Sequence, residues 1–199
     1  MNYSNAKKGF SKLFVAEMLM ILSSVLGTFT DKALVLGLVA VIMMIVAFFI
    51  NLSGLSLMAK DDKGYKKAYN FTIAGIIITV AAVIVGVIFK DNSFIYECAN
   101  GISNVSSRVF EYITAILVMK ASIEVLTKLN KDELVKKTKS TYILYSIAYA
   151  LAIILGIIAD TTNVLVGVLV IIGTLVALVL GLVSQIKYYI FLKNMANTL

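Results

Sequence analysis

The stretch that decides the fold is Phe94–Met119, FIYECANGISNVSSRVFEYITAILVM. At about 1.5 Å of rise per residue, a helix of this length crosses the apolar core of a bilayer. Glu97, Asn100, Asn104, Ser107/Arg108 and Glu111 recur at steps of three or four, so on a helix they share one face. Ile95, Ala99, Ile102, Val105/Val109, Tyr112/Ile113 and Ile116 line the other. A spanning helix cannot turn such a polar stripe to lipid. It must turn it to other protein, or to water held inside the protein.

Working outward, five more apolar runs flank this one. Of the 199 residues 60% are hydrophobic and mean hydropathy is +0.96, well above a soluble domain. These runs predict an all-α polytopic membrane protein, a single transmembrane domain over 1–199 with spans about 10–27, 33–59, 68–89, 94–119, 141–158 and 163–186. A basic start before a short apolar run also describes a signal peptide, but Glu17 interrupts the run and no A-x-A site follows. A retained helix is therefore expected. The fourth helix is expected to continue past Met119 through KASIEVLTKLNKDELVKKTK, with Lys120, Glu124 and Lys128 spaced i, i+4 over a seam of Ile123, Leu126 and Leu129. The aromatics of the last segment, KYYIFLKNMANTL, are expected at headgroup level.

The chain shows a weak internal repeat. Lys7-Lys8, Lys66-Lys67 and Lys136-Lys137, at spacings of 59 and 70 residues, each precede an apolar helix. Each such helix ends in a turn carrying Asp31, Asp91 or Asp160. This pattern predicts a six-transmembrane-helix bundle made of three helical hairpins, by triplication or by the generic look of hairpins with basic loops. Lys7, Lys8, Lys12, Lys60, Lys63, Lys66 and Lys67 fall on one side with every lysine from Lys120 onward. Lys32 and Lys90 fall on the other, and Arg108 lies within a span. That bias predicts an N-in/C-in topology. It also accounts for the net charge of +7 as attraction to the inner leaflet. No nucleic-acid partner is expected, because no basic soluble domain is left over. A single arginine among many lysines suggests a bacterial plasma membrane protein of low-GC origin.

Several chemistries are excluded. There is no histidine, hence no HExxH site and no Ser-His dyad. One cysteine, Cys98, makes neither a disulfide nor a thiolate metal site. No phosphate-binding glycine motif is present, and Ser122 and Lys120 are two apart on a helix and do not face each other. The expectation is no catalytic residue, no metal and no cofactor.

The candidate site is an intramembrane polar cluster of Glu17, Asn100, Asn104, Ser107, Arg108 and Glu111. Its stripe reads three ways: a conduction or binding surface, glue between helices, or an outer-interface segment over Phe94–Ser107 with only Arg108 onward spanning. By helix rise Arg108 lies about 20 Å from Phe94, a depth within reach of Glu17, so a Glu17–Arg108–Glu111 cluster is the preferred arrangement. A purely structural ion pair fits the same residues. Two small-residue ladders, Ala148, Ala152, Gly156 and Gly173, Ala177, Gly181, predict close packing of the fifth and sixth spans.

Function is expected to be that of a non-enzymatic accessory, immunity or complex subunit acting through helix contacts in the lipid bilayer, with another membrane protein or itself as partner. The alternative is a small transporter or solute-binding membrane protein using the polar face of the fourth span. A polar cavity beside that face favours the second. A dry, packed stripe favours the first.

Overall fold

The computed structural model describes residues 3–29, 34–158 and 164–199, and the side chains of 34, 104, 107, 108, 153, 155–158 and 164–172 lie outside that description. The described residues form six helices: α1 (Ser4–Gly27), α2 (Leu34–Met58), α3 (Lys63–Ile88), α4 (Ser93–Lys128), α5 (Asp132–Ile158) and α6 (Val164–Thr198). The fold is all-helical. Four of its helices, in α1, α2, α3 and α6, are long and apolar enough to cross a membrane. No proline interrupts any of them.

Helix ends follow local chemistry. Asp62 caps α3 by accepting from the Gly64 N–H at 2.7 Å, and Asn92 caps α4 by accepting from the Ile95 N–H at 3.2 Å. The neighbouring Asp61 reaches across to α1. It accepts from the Ala6 N–H at 2.7 Å and from the Asn5 amide at 2.8 Å. Adjacent aspartates thus satisfy the N-terminal donors of two different helices.

The expected continuation of α4 through the whole segment after Met119 is corrected. The helix stops at Lys128 and α5 starts at Asp132, well before residue 141. The stop is chemical. Asn130 takes the left-handed conformation at φ 53°, the Lys131 N–H donates to the Leu126 carbonyl, and the Asn130 N–H to that of Thr127. This paired pattern terminates helices, and asparagine is one of the few side chains that tolerates it. Asp132 and Glu133 then open α5 with negative charge on its first turn.

Consecutive helices pair as α1 with α2, α3 with α4, and α5 with α6, and contacts of α2 with α3, α4 with α5, and α6 with α1 close a ring. The α2–α3 seam is the thinnest of these. At the α1–α2 crossing the backbones come close: a Cβ on Gly9 would lie 2.6 Å from the Gly54 carbonyl oxygen, and one on Gly54 2.9 Å from that of Gly9. The α3–α4 pair repeats the arrangement, where a Cβ on Gly64 would meet the Ala121 side chain at 2.7 Å.

The main core lies at the lysine-rich end and draws on every helix. Tyr3, Phe10, Met58, Tyr65, Met119 and Leu126 are buried there. So are Tyr188, Phe191, Leu192 and Met195, so aromatics of the final segment pack inside the protein. The reason is that α6 runs on to Thr198 and packs against α1 and α5, so its aromatics have partners. Ring contacts run from Tyr149 to Tyr112 (4.0 Å between centroids), Tyr112 to Tyr145 (5.8 Å), Tyr145 to Tyr188 (5.4 Å), Tyr188 to Phe191 (5.9 Å), Phe191 to Phe10 (5.8 Å) and Phe10 to Tyr65 (5.7 Å). The Tyr65 hydroxyl meets the Ser122 hydroxyl at 3.1 Å and returns the chain of contacts to α4.

Candidate functional site

Above this aromatic layer a partly open cavity of about 460 Å³ lies among the helices. All six helices contribute to its wall. Tyr145 and Tyr188 belong both to the wall and to the aromatic chain, so the rings form the cavity floor toward the lysine-rich end. Most of the wall is apolar, with Leu13, Met20, Met44, Phe48, Ile76 and Phe110 among its residues. Among the described residues its polar positions include Glu17 on α1, Asn51 on α2, Thr72 and Thr79 on α3, Glu111 and Thr114 on α4.

All three of these threonines are spoken for. Thr72 and Thr114 share a hydrogen bond at 2.8 Å, and Thr79 bonds Ser106 at 3.1 Å. These bonds, with the Phe110 ring lying over Gly75, lock α3 along α4. The α3 contact extends to Gly86 opposite Ala99. The first half of α4, from Ala99 to Ser106, therefore runs beside α3. Hydroxyl pairing holds the helix in line.

Among the expected cluster, Glu17 and Glu111 do come together. Both line the cavity. Glu17 is 8% exposed, whereas Glu111 is accessible. Asn100 is accessible, further from the floor and near Gly86. The side chains of Asn104, Ser107 and Arg108 lie outside the described residues, so the expected cluster is described only through its carboxylates. By helix register Glu111, Ala115 and Val118 continue the sequence's polar face, and these three line the cavity.

The small-residue ladders have a mixed placement. Ala148 is buried, Ala152 is accessible, Gly173 and Ala177 are half-buried, and a Cβ on Gly181 would meet open space. The side-chain surroundings of position 156 lie outside the described residues. Among the described glycines, tight approaches fall on α1–α2 and α3–α4.

Sequence reasoning passed over Asn51, Thr72, Thr79, Ser106 and Thr114. Thr72, Thr79 and Thr114 are lone polar residues in apolar runs, and Ser106 sits among the polar residues of the stripe without recurring in its spacing. Thr72 and Thr79 are seven apart, two helical turns on one face, which was the available signal. Tyr145 and Tyr188 left no comparable trace, because tyrosine is as common at membrane interfaces as in cores.

Among the described residues, no group of acidic or cysteine side chains is placed to hold a metal ion. The arrangement is that of a helical protein with membrane-length apolar helices around a mostly apolar cavity holding two carboxylates. Comparison with family models, curated proteins and solved structures finds no match.

Proposed function

We propose that the protein is a small membrane-embedded solute-binding protein or carrier whose site is the cavity at the centre of its helical ring. On this reading all six helices cross the bacterial plasma membrane, both termini are cytoplasmic, and no catalytic step is performed. The observation that carries it is the cavity itself. Its volume falls in the range of small-molecule sites, and an apolar wall with a few convergent polar groups is the usual character of such sites. Helices that served only as an accessory scaffold would be expected to close this space with side chains. The thin α2–α3 seam offers lateral access from the lipid, and the lysine bias supports the orientation.

The test is direct binding. The purified full chain in dodecyl maltoside is titrated with Nile red, an uncharged apolar fluorophore. Ile76 lines the cavity, and its neighbour Ile77 is 62% exposed on the outer surface. Ile76→Trp should weaken binding about tenfold or more, equivalent to roughly 1.4 kcal/mol, while Ile77→Trp leaves it unchanged. Equal affinity in both variants would remove the cavity from consideration. Then the accessory-subunit reading takes its place. Orientation is checked separately, with Cys98 replaced by alanine and single cysteines placed at Lys63 or Asp91. An impermeant maleimide should reach position 91 in intact cells, and position 63 only after lysis.

A further inference from the structure

We propose that an open groove between α3 and α4 at the lysine-rich end holds the phosphate of an anionic phospholipid of the inner leaflet, with the Lys67 and Lys120 ammonium groups as its partners. The inference rests on the membrane embedding proposed above and is independent of what the central cavity binds.

The groove has a volume of about 460 Å³ and lies between the first turns of α3 and the last turns of α4. Segments 61–67 and 117–128 wall it, and both are described in full. The two helices come together here: a Cβ on Gly64 would lie 2.7 Å from the Ala121 side chain. That approach sets Lys63 and Lys67, one turn apart on α3, beside Lys120, the residue before Ala121 on α4.

The level of the groove says what kind of phosphate it meets. Past Lys67, α3 carries no charged residue as far as its end at Ile88. From Met119 back to Tyr112, α4 carries none either. Lys67 and Lys120 thus stand at the edge of the charged end on both helices. In a bilayer that edge is the headgroup layer, where lysine stems lie along apolar surface and hold their ammonium groups among the phosphates. Leu117 lines the same groove, about one turn inward from Lys120, and offers an apolar surface to the start of an acyl chain. A soluble phosphate would have no use for it.

The carboxylates of the groove lie further from the apolar side. Asp61 accepts from Asn5 and Ala6, and Asp62 accepts from Gly64 and pairs with Lys128 at 3.5 Å. Glu124 is accessible, one turn outward from Lys120. Lysines therefore take the positions nearest the lipid. A zwitterionic headgroup would bring its own ammonium among them, so a lipid without one is favoured.

The test uses the purified full chain in dodecyl maltoside with palmitoyl-oleoyl phosphatidylglycerol or phosphatidylcholine, and bound lipid is read by native mass spectrometry. The wild type should retain one phosphatidylglycerol about tenfold more strongly than phosphatidylcholine. Lys67→Gln combined with Lys120→Gln should lose that preference. Lys136→Gln combined with Lys139→Gln removes the same charge from exposed positions on α5 and should keep it. All four lysines are exposed, so both double variants should unfold near the wild-type midpoint. Equal loss in the two double variants would reduce the effect to general surface charge and overturn the site. Equal retention of the two lipids by the wild type overturns it as well. Displacement of the lipid by an equal concentration of inorganic phosphate would make a soluble phosphate the ligand and overturn the lipid assignment. A chain that stays monodisperse in buffer without detergent would overturn the embedding itself, an outcome distinct from lipid indifference in detergent.

Discussion

The lysine-rich end and the opposite half of the bundle hold their helices together in different ways. At the lysine-rich end the fully buried side chains are large: Phe10, Leu55, Met58, Tyr65, Met119 and Leu192. In the opposite half the buried positions are small, as at Ala40, Ala47, Ala82 and Ala99. There the helices are joined by close approach and by single polar bonds, such as the Ser23 hydroxyl donating to the Ala40 carbonyl at 2.7 Å. Large apolar residues in this half point outward, with Phe49 64% exposed and Val87 67% exposed. The difference is the one that a lipid-facing half and a water-facing end would produce. Lipid makes exposure of an apolar side chain cheap, so a half bathed in it gains little by building an interlocked core. Near the aqueous surface the ordinary hydrophobic penalty returns and the large side chains turn in.

The sharpest way to break this comparison is to hollow the dense end. Phe10→Ala should cost about 3–5 kcal/mol, because it removes a ring in edge-to-face contact with both Tyr65 and Phe191. Phe49→Ala in the opposite half should stay within about 0.5 kcal/mol. Thermal unfolding in detergent, followed by tyrosine near-ultraviolet circular dichroism, reads both. Similar losses would erase the distinction between the two halves.

A smaller loss is expected from the loop that caps α1. Asp61→Ala deletes the acceptor of two N-terminal donors and should cost about 1–2 kcal/mol in the same measurement. The α4–α5 corner comes next. Asn130→Ala forces an alanine into the left-handed region and should cost about 1 kcal/mol, while Asn130→Gly should be neutral. If glycine is as damaging as alanine, the asparagine matters through its side chain and not through its backbone.

The smallest effect should come from the exposed pair of Glu133 and Lys137, bonded at 2.6 Å. The hydrogen bond from Lys137, and then its charge, hold the Glu133 carboxyl below its ordinary value of 4.5. A depressed carboxyl stabilises the fold above its unfolded pKa and loses that contribution as pH falls through the folded value. Glu133→Gln should therefore lower the unfolding midpoint slightly at neutral pH, by less than Asn130→Ala, and the gap from wild type should close in acid and narrow in high salt.

Much of the architecture was legible because it follows from local rules. Apolar runs of spanning length mark helices wherever they occur, and the absence of proline leaves them unbroken. The polar face of the fourth helix could be read from spacing alone, and that face does continue into the cavity wall at Glu111. Helix ends were legible only in part. LNKDE holds an asparagine and two acids in the order a helix stop and a fresh start require, but the lysines on either side made the segment resemble one solvated helix.

What the sequence alone determined is the all-helical character, the apolar helices of membrane length and the exclusion of histidine-dependent chemistry. Periodicity and composition are properties of single segments, and one segment suffices to show them. Only the tertiary structure decided which small residues touch, that Tyr188 and Phe191 lie inside, and that Glu17 and Glu111 share one cavity. These facts depend on how far each helix is rotated about its axis and slid along its neighbour. A one-residue change turns a helix by about 100° and moves a side chain from lipid to core, so the answer lies in all six helices packing at once. Gly9 and Gly54 illustrate the point. Each is an ordinary glycine in an apolar or basic stretch, and neither carries a signal until the other is placed against it.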